Sequence, residues 1–569
     1  VLRAWSSADV RAAEAPLLAA GEPLMDRAAF ALHVEVVRLL RAHRRERRVH
    51  GARVVVLAGG GANGGDALHA GALLARRGAA VTAVLAGERA HAGGLAAARA
   101  AGVRVLGDVA VGDAVVGDAV GPDDEGDEPG PLVCDALAGA DLVLDGLVGI
   151  GSDGSGLRGL ARALVAAVPT GTGGGHRPVV VAVDVPSGSG VDDGRVAGDV
   201  LRADVTVTFG APKPGLLLPP ASGLAGQVVP VDIGLTLPAG GVAVGRLEGA
   251  DVAALWPVPG ATSQKYARGV LGVVCGTTRY PGAGVLATSA AVLAGVGMVR
   301  FVDERDERDE RDERDERDER DEREDPAAPP RPAGPLATAV LAARPEVVVA
   351  GAVGDGRVQA WAAGSGVDPA DPARRRDVAA VVAAARDGVP AVLDAGALDL
   401  VTEGLGAHVV LTPHAGELAR WLADRGERVG GVPVDRDAVE AEPWRWARRA
   451  HDLSGATVLL KGATTLVVGA GGSTWSQADG PAWLATAGSG DVLAGVVGAL
   501  LAGRAEDVVA DPALAARLAA AAALVHGRAA HHATPGGPVS ALAVAHALPA
   551  VVADLLAQDG APAVRDCPA

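Results

Sequence analysis

Ala485-Thr-Ala-Gly-Ser-Gly-Asp491 closes a glycine-rich turn on an acid where an apolar helix over about 491–502 should begin. Gly488 and Gly490 permit the tight turn. Ala487, Gly488, Ser489 and Gly490 then become a candidate cradle for anionic oxygens, because free amides and the positive end of a helix macrodipole meet there. Asp491 is either the N-terminal cap of that helix or a carboxylate aimed at whatever the amides hold. Lys461, directly after the strand-like Val458-Leu-Leu, can reach phosphate oxygens as a mobile point charge or lie in solvent as an ordinary loop lysine. Leu411-Thr-Pro-His-Ala-Gly-Glu417 forms a second polar turn, with His414 and Glu417 as ligands for a polar substrate, although a lone histidine is more often structural.

A second set of reactive loops lies in the first half. Leu57-Ala-Gly-Gly-Gly-Ala-Asn-Gly-Gly-Asp66 joins a strand to a helix, but lacks the dinucleotide-binding glycine spacing. Leu144-Asp-Gly-Leu-Val-Gly-Ile-Gly151, Val183-Asp-Val-Pro-Ser-Gly188 and Thr208-Phe-Gly-Ala-Pro-Lys213 each follow a strand-like run. In a parallel sheet such loops emerge on one edge, so Asn63, Asp145, Asp184, Ser187 and Lys213 are expected to converge. Hard oxygens from Asn63 and Asp145 suit an alkali or alkaline-earth ion better than zinc. A single aspartate in such a cleft can be a proton-transfer base.

The elements that must position these loops alternate strand and helix. Strands are expected at 53–58, 81–85, 142–145, 179–184, 205–209 and 228–232, after a helical stretch over 1–40; an acidic loop is expected at 121–131. A second cycle has strands at 270–274, 298–302, 346–350, 390–394, 408–411, 457–460 and 465–468, a helix over 282–296 and a mostly helical C-terminal third. Both cycles read as α/β with largely parallel sheets. Seven Asp-Glu-Arg repeats from Asp303 to Arg323, then Glu324 and Asp325, cannot build a core and read as a solvated helix or disordered insertion.

At 569 residues, two or three domains are expected. A net charge of −17, without a basic stripe, argues against nucleic-acid binding. Cys134, Cys275 and Cys567 are too far apart in sequence for a zinc motif, and disulfides are not expected. The N-terminus lacks a signal peptide's apolar core and the long Ala-rich segments are interrupted by Arg and His, so no membrane span and a cytoplasmic location are expected.

The first half resembles the NAD(P)HX epimerase family in Pro23-Leu-Met-Asp-Arg-Ala28, the Asn-Gly-Gly-Asp loop, Asp-Val-Pro-Ser-Gly, and Val-Thr-Phe-Gly-Ala-Pro-Lys-Pro-Gly. That resemblance implies interconversion of the S and R epimers of hydrated NADH and NADPH on a Rossmann-like three-layer domain over 1–238. It assigns Asp184 as the catalytic acid, Asn63, Asp145 and Ser187 as potassium ligands, and Gly61, Asn63, Gly64, Gly65, Asp66 and Gly149 as substrate contacts. The second half resembles the ADP- or ATP-dependent NAD(P)HX dehydratases, which have a ribokinase-like fold. The marks are Lys265 to Gly269, Tyr280-Pro-Gly-Ala283, Arg344-Pro-Glu346, Leu393-Asp-Ala-Gly-Ala-Leu398, the Thr-Pro-His-Ala-Gly-Glu turn, Lys461-Gly-Ala463 and Thr486 to Gly495. This implies dehydration of the S form, with ADP and magnesium, over 263–559. Residues 239–262 would be the linker and 560–569 a tail, and a homo-oligomer is expected.

Several positions depart from the two family patterns. Ala62 replaces the first of two asparagines, Gly396 replaces a second aspartate, the Gly-Pro-Gly-Leu-Gly loop becomes Gly351-Ala-Val-Gly-Asp-Gly356, and Gln477 and Pro481 replace asparagines. The competing readings are a ribokinase-like kinase for a sugar or vitamin alcohol, and a protein with one domain inactive.

Overall fold

The computed structural model describes residues 1–44, 46–87, 89–107, 110–111, 114–115, 128–171, 176–304, 333–368 and 370–558. The Asp-Glu-Arg segment from 305 onward, acidic residues 121–127, Cys567 and the tail 560–569 lie outside the described residues. The chain forms two compact units, Leu2–Gly245 and Arg246 onward.

The first unit is built on a parallel sheet ordered Gln227–Val231, Val205–Phe209, Val179–Val183, Leu142–Gly146, Arg53–Ala58, Ala80–Leu85, Arg104–Leu106. Its central strands are buried on both faces and read as near-continuous apolar runs. Alternation sends Val54 and Val56 to one core, with helices Leu24–His43 and Ala62–Arg76. It sends Val55 and Leu57 to the other, with Pro131–Ala138 and Gly159–Ala167. The three-layer Rossmann-like architecture is therefore present. The stretch expected to be wholly helical over 1–40 begins instead with strand Leu2–Trp5, before helices Ser7–Ala19 and Leu24–His43. Ser6 caps the first helix by accepting from the Asp9 amide at 3.1 Å.

Strand order reverses between Arg53–Ala58 and Leu142–Gly146, and a crevice opens at such a switch point outside the carboxyl ends of the strands. Register pairs Leu57 with Asp145 and Asp145 with Ala182. The three reactive loops thus leave the sheet at one level.

The second unit carries strands in the order Thr474–Gln477, Thr465–Val468, Thr457–Leu460, Val409–Leu411, Ala391–Leu393, Ala360–Ala363, Val270–Val274, Met298–Val302, Val348–Ala350. All neighbouring pairs are parallel except the two that join Thr457–Leu460, Thr465–Val468 and Thr474–Gln477. Ala360–Ala363 and Thr474–Gln477 are strands beyond those expected from sequence. Alanine has little β preference, and burial of Ala360-Trp-Ala-Ala363 between two parallel neighbours decides its state.

Helix Ser489–Gly503 is apolar all round, as a fully covered helix must be. It lies against helix Pro281–Leu293, where a Cβ on Gly495 would come within 2.2 Å of the Ala287 carbonyl oxygen. Together with Ala513–Ala533 and Ala541–Gln558 these helices pack into the main apolar core of this α/β unit. Residues 239–262 contain strand Val242–Arg246 and helix Gly249–Leu255, the latter closed by a capping box between Glu248 and Asp251. Among the described residues no helix is long and apolar enough to cross a membrane.

Candidate active sites

In the first unit, the Gly59-Gly60-Gly61 turn feeds helix Ala62–Arg76, whose N-terminal residue is preceded by Gly61 in extended conformation. A Cβ on Gly64 would lie 2.0 Å from the Gly59 carbonyl oxygen, and one on Gly65 would lie 2.8 Å from the His91 ring. Gly61 faces open space. Packing therefore demands glycine at 64 and 65, and leaves 61 clear for a ligand.

Asn63 is buried, with its Nδ2 unpartnered among the described residues. A Cβ on Gly149 would sit 2.8 Å from the Asn63 Cγ, which places the Gly149 loop directly over the amide. Asp145 is fully buried. It accepts from the Ser187 hydroxyl at 2.6 Å and the Ser187 amide at 2.9 Å. Burial pushes its carboxyl up, against those hydrogen bonds.

Asp184 adopts a left-handed backbone, φ 67°, uncommon for a non-glycine residue. The backbone turns there, and the carboxylate faces the buried Lys213 ammonium, with which it forms an ion pair. The Asp184 Oδ1 also accepts from the Thr208 hydroxyl at 3.1 Å and the Phe209 amide at 3.3 Å. Lys213 donates further to the Phe209 carbonyl oxygen at 2.9 Å. Asp66, one turn into its helix, is pushed up to about 8, chiefly by burial and then by Asp184 and Glu14, with Lys213 opposing. Thr208 and Glu14 carry no spacing signal of their own; only the fold brings them here.

In the second unit, Gly488 is the N-cap of helix Ser489–Gly503 and is left-handed, φ 86°. Asp491 is therefore inside the first turn and free of the capping role. Its carboxyl is pushed up to about 6 by burial, then by the nearby Asp394, with Lys461 and a Ser365 hydrogen bond opposing. Asp394, fully buried, accepts from Ser365 Oγ at 2.9 Å, Thr412 Oγ1 at 2.8 Å and Lys461 Nζ at 2.8 Å. Lys461 holds it below the usual carboxylate range despite burial. These four groups leave the sheet from adjacent strand ends, in the register Ala363, Leu393, Leu411. Ser365 and Thr412 were not expected from sequence, since a lone hydroxyl after a short strand is unremarkable.

Lys461 is also 3.7 Å from Glu417, and a Cβ on Gly490 would lie 3.4 Å from its ammonium. It therefore overlies the start of helix Ser489–Gly503. His414 is the N-cap of helix Ala415–Ala423: its Nδ1 accepts from the amides of Gly416 and Glu417, and Glu417 accepts from the His414 amide at 2.8 Å. The ring is thus structural on one nitrogen, while the residue also lines the cavity.

That cavity, of about 700 Å³, is bordered by His414, Lys461, Asp479, Thr486, Ser489, Gly490 and His526. Ala487 is exposed beside it. Burial pushes the His526 imidazole down to about 4, and its Nε2 is unpartnered among the described residues.

Two departures from the family pattern acquire structural roles. Gln477 accepts from the Leu247 amide at 3.0 Å and sits buried. A Cβ on Gly396 would approach the Val367 carbonyl oxygen to 2.5 Å, so an aspartate there does not fit. Ala62 is exposed, and Asp355 of the altered 351–356 loop accepts from the Ala352 amide at 2.7 Å.

Gly488→Ala should destabilise the second unit by about 1–2 kcal/mol, from left-handed strain in a residue with a Cβ. That Cβ would also meet Leu286 Cδ1 at 2.5 Å. Denaturant melts and turnover at this site are expected to fall together.

Residues 271–547 match the family model described as NAD(P)H-hydrate dehydratase, and residues 21–215 match the one described as YjeF-related protein N-terminus. The bifunctional NAD(P)H-hydrate repair enzyme Nnr of Mycobacterium tuberculosis is 39% identical over 512 residues, 88% of this chain and 89% of that one. The Mycobacterium leprae protein of the same name is 39% identical over 508 residues, with the same coverage. The NAD(P)H-hydrate epimerase of Clavibacter sepedonicus is 46% identical over 235 residues, 41% of this chain and 91% of that protein. With a relative at this identity spanning both units, in the order epimerase then dehydratase, the chain belongs to the bifunctional NAD(P)H-hydrate repair enzymes.

Proposed function

We propose that the first unit equilibrates the R and S epimers of hydrated NADH and NADPH, and that the second dehydrates the S form with ADP, yielding AMP and phosphate. The observation that carries the dehydratase reading is Asp491: a half-buried carboxylate relieved of capping, at a helix N-terminus that Lys461 overlies.

Asp491 is suited to take the proton of the nicotinamide-ring hydroxyl, because its raised basicity lies close to the working pH. The amides of Gly488 to Asp491 would hold the oxygens of the transferring phosphoryl group, and Lys461 would neutralise polyphosphate charge. Phosphate would then leave with help from the ring nitrogen's electrons. His414 and the cavity it borders, with Glu417 beside Lys461, would orient the substrate. Magnesium, when bound with the nucleotide, screens its charge.

In the first unit, Asn63, Asp145 and Ser187 would hold potassium. The donors fit: all are hard oxygens, and the fully buried Asp145 has no cation among the groups acting on it, so a bound ion would supply the missing charge. Asp184 would be the proton-transfer residue there. The reduced cofactors arise in the cytoplasm, and that is where the reading puts the protein.

The test is the return of the reduced-nicotinamide absorbance when the purified chain meets hydrated NADH, ADP and magnesium. No return, with a competent dehydratase as control, would reject the reading. The rate should be lost as pH falls through about 6, because Asp491 must be unprotonated to act. A dehydration rate indifferent to pH between 5 and 7, on the order of one unit either side of that value, would remove Asp491 as the base.

A further inference from the structure

Three carboxyl groups of the first unit, Glu14, Asp66 and Asp184, act on one another around a single buried ammonium, that of Lys213. Lys213 is committed to Asp184 by direct ion pairing. Asp66 has no such partner: its Oδ1 is buried and makes no hydrogen bond among the described residues. We propose that Asp66 is a second proton-transfer residue of the epimerase reaction, the acid when Asp184 is the base. This rests on the epimerase reading of the unit.

The topology supports a division of labour between the two. Asp66 belongs to the helix after strand Arg53–Ala58, and Asp184 directly follows strand Val179–Val183. Strand Leu142–Gly146 lies between strands Arg53–Ala58 and Val179–Val183 in the sheet, so the two carboxyls are carried by segments that leave strands on either side of it. Inverting one carbon requires groups that address its two faces.

The environments also separate the two carboxyls. Burial, and then crowding by Asp184 and Glu14, keeps the proton on Asp66 up to about pH 8, whereas Asp184 is ion-paired with Lys213. The other titratable groups packed around this turn are His69 on the same helix and His91, whose ring lies against Gly65. His69 is pushed down by burial and then by His91.

The step balances as follows. In the R-to-S direction the ring nitrogen's lone pair expels the hydroxyl, the C–O bond breaks, and Asp66 protonates the departing oxygen, leaving water and a cyclic iminium. Water then adds to the opposite face, the C–O bond re-forms, the electron pair returns to nitrogen, and the surplus proton goes to Asp184. The S-to-R direction runs from protonated Asp184 and ionised Asp66.

The experiment measures epimer equilibration by chromatography in the full chain and in Asp66→Asn, across pH 6 to roughly 9.5, beyond the point where Asp66 ionises. Equilibration by the unaltered chain is expected to fall as pH rises through about 8. Asp66→Asn is expected to lose about 100-fold or more in kcat, with KM changed less than about threefold, and its residual rate should lack the fall above pH 8. A kcat near that of the unaltered chain, a loss confined to KM, or an unchanged alkaline limb would overturn the assignment. Should Asp66→Asn fail to melt cooperatively, Asp66→Glu decides: it is expected to keep the alkaline limb at reduced kcat, and full activity without that limb overturns the proposal. If the unaltered chain does not equilibrate the epimers, the epimerase reading falls and this assignment with it.

Discussion

In Asp491→Asn, ADP-dependent dehydration of hydrated NADH is expected to fall by about 10³-fold, within the range a positioned base contributes, while epimer equilibration persists. The substitution conserves shape, so Gly488 still caps the helix and the amides keep their directions. What disappears is the lone pair that takes the hydroxyl proton. The same substitution should stabilise the second unit. Asp491 is raised from 3.8 to about 6 in the folded chain, so above pH 6 it is held ionised in a site that disfavours charge. The cost of a raised carboxyl is absent below its unfolded value, grows as pH climbs from there, and is complete once pH exceeds its folded value. At pH 7 the asparagine should gain on the order of 1–3 kcal/mol, visible as a higher melting midpoint. Activity lost while stability is gained marks a group retained for chemistry. Dehydration surviving within tenfold would reject Asp491 as base, and an unaltered or lowered melt would reject the electrostatic account of its pKa.

Much of both sites was legible because loops after parallel strands share an edge. Asp145, Asp184 and Lys213 each follow a strand-like run, and the register of the three strands brings them together. The glycines at 64, 65 and 488 likewise signal conformations or clearances that a side chain would violate. What stayed hidden depends on pairings that local pattern does not encode. Ser365 and Thr412 matter only because Asp394 lies between them, on a strand whose neighbour, Ala360–Ala363, is built of a residue type that favours helices. The capping of its helix by His414 was equally hidden, since histidine is an uncommon cap, although Glu417 three residues on is the other half of a capping box. Asp491 was ambiguous for a physical reason. Glycine followed by aspartate before an apolar run serves a cap and a first-turn base equally well, and only the left-handed Gly488 assigns the cap elsewhere.

Asp184→Asn should abolish epimer equilibration, by about 10³-fold or more, and also weaken the first unit, so one variant alone would confound chemistry with folding. Asparagine tolerates the left-handed backbone at 184 as well as aspartate does, and the φ of 67° adds no new strain. The damage arises at Lys213. Its ammonium is 1% exposed and would lose its carboxylate, keeping only the Thr208 hydroxyl at 3.1 Å and the Phe209 carbonyl. Breaking a buried pair from one side costs about 3–5 kcal/mol, because the surviving charge stays buried. Removing both charges avoids that penalty, so Asp184→Asn with Lys213→Met should regain most of the melting midpoint. The double variant should remain inactive as an epimerase, since a methionine restores packing and no proton acceptor. A double variant that melts like the unaltered chain and equilibrates the epimers at its rate would show that Asp184 serves only as the counter-ion of Lys213. A stable double variant without equilibration leaves proton transfer as the role of this carboxylate, because the structural share of the single-variant defect has been returned.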